Sequence, residues 1–382
     1  MNLDISKTKD LVKFLNDKKF KRIFLLCGKN SFKNSGAEKI FSGILKNKDF
    51  KCYFKKSPYP ELQELKKITL DIKKYNPDLI LAIGGGSVID YAKIANVIDL
   101  KENLIELIKN YSYPYKKKFT KLAVIPTTAG SGAEVTSNAV IYIGSTKYSF
   151  ESNLLIPDYF FLMPELLISS SQKIKASAGF DAIAQSLESL VSKKSNSKSV
   201  IFASKSLQIS IKSFDNYLSN PTLHNAGKMS IASHLAGKAI NISKTTAPHA
   251  ASYPFTSFFN ISHGHAVSLF FERFFEYNYR NIKNSKTNFD LSKRYDLIFN
   301  LFNVKNIEQF ISKIGNIKKK SKLIDDLDLL NIDVHKNSKK IINGINLLRL
   351  SNNPINLEKK NLVDIIIKKK WNYFFTSNKF YK

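Results

Sequence analysis

The run LILAIGGGSVIDYAKIANV constrains the fold of this chain more than any other segment. Leu79 to Ile83 are apolar without a break, the pattern of a strand covered on both faces. Gly84, Gly85, Gly86 and Ser87 follow at once. Val88, Ala92, Ile94 and Ala95 then recur at helical spacing, with Asp90 on the first turn. A strand that runs through glycines into a helix is one unit of a parallel α/β sheet. It is also a ready phosphate site, because glycines let backbone N–H groups approach an anion and the helix N-terminus favours negative charge. The spacing is not GxGxxG, and GGGS alone also describes an ordinary tight turn.

A second segment, KLAVIPTTAGSGAEVT, repeats the idea. The strand Leu122 to Ile125 runs into Pro126 and then Thr127, Thr128, Ala129, Gly130, Ser131 and Gly132. Two such loops on adjacent parallel strands would line one crevice at the strand carboxyl ends. This places candidate cofactor contacts on Gly84, Gly85, Gly86, Ser87, Asp90, Thr127, Thr128 and Ser131.

The rest of the first part alternates in the same way. Lys21 to Gly28 reads as a strand, Ser35 to Lys46 as a helix, and Lys51 to Lys55 as a short strand. Glu61 to Lys74 and Ser87 to Val97 read as helices, and Asn138 to Ile143 and Tyr159 to Leu162 as further strands. After about Pro164 strand signals nearly vanish. Ala176 to Ser192, Ser197 to Leu218, Ala226 to Ile242 and Ala266 to Phe275 carry 3.6-residue periodicity instead. The expected organisation is an α/β domain with a parallel sheet over residues 1–164, then an all-α domain over 165–382.

Bulk composition narrows the class. A net charge of +29 would ordinarily suggest nucleic acid. The lysines are spread along the whole chain, however, with only short clusters at Lys116–Lys118, Lys318–Lys320 and Lys368–Lys370. A generally basic, solvated surface that draws in an anionic substrate is the preferred reading, with no nucleic-acid partner. No stretch reaches the length of a membrane-spanning helix, and MNLDISKTKDLVKFLNDKK lacks the apolar core of a secretory signal. Cys27 and Cys52 are the only cysteines, so no disulfide framework is implied. A cytoplasmic setting without membrane attachment is expected.

Three of the six histidines fall in APHAASYPFTSFFNISHGHAV: His249, His263 and His265. His249 and His263 are too far apart for one helical face and about right for two helices joined by a bend. Upstream, Asp181 and Gln185 are four apart and share a helix face. An Asp and two His from separate helices can converge on one cation. Residues scattered as helix caps and satisfied core groups would give the same spacing.

The ordered set GGGSVID, PTTAGSGAEVT, GFDAIAQSLES and HAASYPFTSFFNISHGHAV resembles the iron-dependent (group III) alcohol dehydrogenases over nearly the whole chain. The wording around Gln185 is similar to the phosphonoacetaldehyde reductase branch. The resemblance implies that residues 1–164 form a dinucleotide-binding domain and residues 165–382 a metal- and substrate-binding domain, with a cleft between them that holds a divalent metal and NADPH or NADH. It puts metal ligands on Asp181, His249 and His263, with Gln185 where the family carries another histidine. Fe2+ is the first expectation for the metal and Zn2+ the second. Tyr253 stands where the family has a further histidine. The implied reaction reduces phosphonoacetaldehyde to 2-hydroxyethylphosphonate, with the proton passing through Tyr253, His265 or water. Lys244, followed by Thr245 and Thr246, offers a cation for the phosphonate and equally reads as a surface lysine. Gly28 stands where many NAD-preferring relatives carry an Asp, which would tolerate NADP. A homodimer stays open. Three other readings remain: a general alcohol dehydrogenase of the same family, a dehydroquinate-synthase-like lyase, and a non-enzymatic basic binding protein.

Overall fold

The structure, a computed structural model, describes residues 5–367. The lysine cluster Lys368–Lys370 therefore lies outside the described residues. A five-stranded parallel sheet forms from β1 (Arg22–Gly28), β2 (Asp49–Lys55), β3 (Leu79–Gly84), β4 (Lys121–Pro126) and a later strand, Tyr159–Phe160, in the order β2-β1-β3-β4 with Tyr159–Phe160 at the edge. β3 is buried along its whole length, and β1 and β4 at every residue but the first. Helices on both faces account for their unbroken apolar runs.

Strand register sets the site. Gly84 pairs with Pro126, so β3 and β4 end side by side. The loops that follow them emerge at one edge, joined by Thr127 N–H donating to Gly84 O at 3.1 Å. The chain passes from β1 to β2 on one side and to β3 on the other, which opens the crevice at the carboxyl ends. A Cβ on Gly84 would stand 2.5 Å from Val88 Cγ2. Glycine at 84 is what allows the helix Gly86–Ala95 to fold back on its own strand.

Asn138–Ile143 is a strand, β5, but it does not join the parallel sheet. It pairs antiparallel with β6, Thr146–Glu151, a strand that the sequence pattern did not reveal. The turn between them is Gly144-Ser145, with Gly144 at φ 59°, the left-handed conformation that a two-residue hairpin loop requires. Lys93, fully buried on the helix Gly86–Ala95, ties this region down. Its Nζ donates to Ala133 O at 2.8 Å, Thr136 Oγ1 at 3.0 Å and Asn138 O at 2.8 Å.

Beyond Pro164 every regular element among the described residues is helical. Gln172–Val191 is the central helix, buried almost all round from Lys175 onward. It packs against Ser197–Ser219 and Leu223–Ser243. Ser171, Asn196 and Thr222 cap these three helices with side-chain oxygens, satisfying otherwise orphaned N–H groups. The expected helix Ala266–Phe275 is instead two, His263–Ser268 and Phe271–Arg280, broken at Leu269-Phe270. No helix among the described residues is long and apolar enough to cross a membrane.

The change of element class does not divide the core. One cluster of buried side chains runs from Ile23, Leu25 and Leu81 in the sheet to Phe180, Leu187, Phe214 and Phe271 in the helices. Each such residue contributes about 1.5–3 kcal/mol by its burial. The two halves also touch backbone to backbone. A Cβ on Gly132, at φ 59° in the loop after β4, would lie 2.4 Å from Gly237 Cα in the helix Leu223–Ser243.

Candidate active site

A cavity of about 560 Å³ lies at the carboxyl edge of the sheet, between the sheet loops and the helices. Gly85, Gly86, Ser87, Asp90, Thr128 and Ser131 form part of its sheet wall. Asp181, Gln185, His249, Tyr253 and His263 line it from the helical side.

The helical wall is built by close packing. The helix Ala247–Phe259 carries His249 and ends at Asn260, whose φ of 54° makes the bend; the next helix begins at His263. A Cβ on Gly264 would stand 1.9 Å from Ser177 O and 2.9 Å from Asp181 Cβ. Only glycine at 264 lets that helix start lie against Gln172–Val191, which brings His263 beside Asp181.

Ligand atoms of Asp181, His249 and His263 all lie within 4.8 Å of one another. His249 Nε2 is 3.1 Å from Asp181 Oδ1, and its Nδ1 donates to Glu188 Oε1 at 2.5 Å. Glu188 also accepts from Thr246 N–H at 2.7 Å and Thr246 Oγ1 at 3.0 Å. Gln185 Nε2 donates to Asp181 Oδ2 at 3.2 Å, which leaves Gln185 Oε1 buried without a partner. His263 Nδ1 is likewise buried and unpartnered.

The electrostatics suit a cation. Burial pushes His249 down, but Glu188 and Asp181 outweigh it and hold the imidazolium to about 10, so a proton sits between His249 and Asp181. Burial, with help from Lys147, pushes His263 down to about 3 and keeps it neutral. Asp181 is held below the usual carboxylate range, because His249 and His263 outweigh its burial. A carboxylate, an imidazole that a metal can deprotonate, a neutral imidazole and a free amide oxygen fit a divalent cation.

Other residues singled out by sequence lie elsewhere. Gly28, Gly84 and Thr127 are not on the cavity wall. Gly28 serves packing, since a Cβ there would meet Ser31 Oγ at 2.8 Å. His265 points away, with Nε2 2.5 Å from Ile324 O. Lys244 is off the wall as well: at φ 59° on a helix end it pairs with Glu151 and donates to Asn241 O at 3.1 Å.

Sequence reasoning missed three side chains. Glu188 lies two helical turns from Asp181 on the same face, a spacing that was readable. Lys147, on β6, and Arg349, on the short helix Leu347–Leu350, both line the cavity. Lys147 Nζ stands over the Tyr253 ring, 3.9 Å from its centroid. Arg349 is buried and donates to Ser149 Oγ at 3.2 Å. Burial would raise the Tyr253 phenol, but Lys147 and Arg349 outweigh it and lower it.

Known proteins share this architecture and sequence. 4-Hydroxybutyrate dehydrogenase of Clostridium kluyveri is 30% identical over 240 residues, 59% of this chain and 62% of that protein's length. 1-Propanol dehydrogenase PduQ of Citrobacter freundii is 28% identical over 280 residues, 72% of this chain and 71% of its own. The crystal structure of sulfoacetaldehyde reductase from Bifidobacterium kashiwanohense in complex with NAD+ superposes with a TM-score of 0.83 at 23% identity, covering 94% of this chain and 93% of that one. Residues 4–164 match the family model for iron-containing alcohol dehydrogenase, and residues 175–370 the model for the C-terminal part of the same family. Both halves of the cavity fall inside these matches, and the chain belongs to the iron-containing alcohol dehydrogenase family.

Proposed function

We propose that this chain carries out NAD(P)H-dependent, metal-assisted reduction of a small anionic aldehyde, with phosphonoacetaldehyde to 2-hydroxyethylphosphonate as the first choice. The observation that carries this reading is that one cavity has Asp181, Gln185, His249 and His263 on one wall and the Gly85-Gly86-Ser87 loop on the other. A divalent cation held by those four side chains supplies Lewis acidity toward a carbonyl oxygen, and a nicotinamide dinucleotide supplies the hydride.

The chain's own residues do the rest. Backbone N–H groups of Gly86 and Ser87, at the start of their helix, bind the cofactor's diphosphate. Glu188 fixes the orientation of the His249 ring. Tyr253, buried on the wall, holds a proton for the product alkoxide at its phenol oxygen. Asp181, Gln185 and His249 are buried, and screening from water strengthens the charged contacts among them. The choice of an anionic aldehyde is supported by Lys147 and Arg349 on the wall and by the named substrate of the structurally similar sulfoacetaldehyde reductase.

The test is a panel of aldehydes, phosphonoacetaldehyde, sulfoacetaldehyde, succinic semialdehyde and propanal, with NADH and NADPH on Fe2+- or Zn2+-loaded protein. The expected result is turnover of the anionic aldehydes above propanal, abolished in His249→Ala. Absence of turnover with every aldehyde overturns the reading. Equal kcat/KM throughout leaves a general alcohol dehydrogenase.

A further inference from the structure

We infer that Lys147 and Arg349 together hold the anionic group of the substrate, and that they, not Lys244, set the charge specificity of the site. The inference rests on the reading of the cavity as an aldehyde reductase site and adds which residues select the substrate.

Neither cation has an ion-pair partner among the described residues. Lys147 Nζ makes no hydrogen bond and no ion pair among the described residues. It stands between two aromatic rings, 3.9 Å from the centroid of Tyr253 and 6.0 Å from that of Tyr142. Arg349, 8% exposed, donates from its guanidinium to a neutral partner, Ser149 Oγ at 3.2 Å. No carboxylate among the described residues lies within ion-pair distance of either. The nearby acids are engaged elsewhere. Asp90 accepts from Val140 N–H at 3.2 Å, and Glu151 is paired with Lys244. An ammonium and a buried guanidinium with no carboxylate in ion-pair contact leave room for a ligand to supply one.

Both side chains line the same cavity as Asp181, His249 and His263. Tyr253 lines the same cavity, with Lys147 over its face. A substrate whose carbonyl reaches the Asp181–His249–His263 cluster therefore presents its other end to the pair. Arg349 offers a planar fork and Lys147 a point charge, a combination that suits a tetrahedral anion with several oxygens, such as a phosphonate or sulfonate.

The experiment measures binding apart from turnover. Ethylphosphonate, which has no carbonyl, is titrated by calorimetry into the metal-loaded native protein and into Lys147→Met, Arg349→Met, Lys147→Arg and Lys244→Met. The expected result is a Kd raised by about 10- to 100-fold in both Met variants, as for loss of a hydrogen bond to a charged group. Lys147→Arg should restore most of the affinity, which separates lost charge from lost folding. Lys244→Met, a variant outside the cavity wall, should bind as the native protein does. In parallel kinetics, kcat/KM for phosphonoacetaldehyde should fall much further than that for propanal, with the KM for NADH little moved. The inference is overturned if native protein does not bind ethylphosphonate, or if either Met variant binds it unchanged. It is also overturned if the KM for NADH rises as much as the ethylphosphonate Kd, since the pair would then serve the cofactor's phosphates. Cation-dependent ethylphosphonate binding without reduction of any aldehyde would uphold the subsite and sink the reductase reading. Equal reduction of charged and neutral aldehydes without ethylphosphonate binding would do the reverse.

Discussion

His249 donates through Nδ1 to Glu188 Oε1 at 2.5 Å, and this leaves Nε2 to face Asp181. The hydrogen bond fixes the tautomer and ring plane of the imidazole and raises its basicity toward a metal. Glu188→Gln keeps the shape but removes the charge, and its single acceptor oxygen cannot serve both Thr246 and His249. Metal affinity should fall by about 10- to 100-fold, read by competition with a chelator of known affinity. An unchanged affinity would mean that Glu188 serves only the fold.

Gln185 contributes an amide oxygen that is buried and has no partner. Imidazole is the better ligand for Zn2+ and Fe2+. Gln185→His should therefore tighten binding of both ions by a factor of about ten, near 1.4 kcal/mol. The same chelator competition checks it. Weaker binding would show that residue 185 lies outside the coordination sphere.

Gly264→Ala places a methyl group 1.9 Å from Ser177 O, where backbone has to move. The cost should be about 3 kcal/mol or more in denaturant unfolding. His263 should shift away from Asp181 with it, so metal binding falls in the same variant. Gly315→Ala, in the helix Ile307–Lys320 with open space around it, should instead stabilise by up to about 1 kcal/mol. Equal effects of the two substitutions would refute the packing argument.

Asp90 gives a pH dependence with a definite sign. Burial pushes its carboxyl up to about 6, against the opposing pull of Lys93 and Lys147. An unfolded chain ionises the same group near 3.9, about two units lower. Between these values the folded protein holds a proton that the unfolded chain has released, so stability falls as pH rises through the window. The native protein should lose stability relative to Asp90→Asn from about pH 4 to pH 6, and the difference should level off above that. A difference that stays flat across the window would show that Asp90 is not protonated in the fold.

Much of this arrangement was readable in the chain. The apolar runs before Gly84 and Pro126 announce buried parallel strands because no polar residue interrupts them. The bend between His249 and His263 was written in their spacing. Alternation identifies Asn138–Ile143 as a strand but cannot say which sheet it joins. Its partner, TKYSFE, has only one fully buried residue, so it carries no apolar signal. That strand brings Lys147 to the cavity, and Arg349 arrives from two hundred residues further on. Neither position has a local pattern, because an isolated cation on a wall is a property of the folded surface. Lys244 drew attention by its closeness in sequence to His249. The left-handed backbone at the end of its helix turns it toward Glu151 instead.

The close approach of Gly132 and Gly237 bears on how such chains can be recombined. A hybrid that joined residues 1–164 of this chain to the helical part of a relative would inherit a condition at a place far from the splice. A side chain at either position would drive the other backbone away by more than the contact can absorb. The sheet loop that carries Thr128 and Ser131 would move with it. Compatibility between parents is therefore tested at that crossing, and a library of such hybrids should be depleted of folded members that lack glycine on either side.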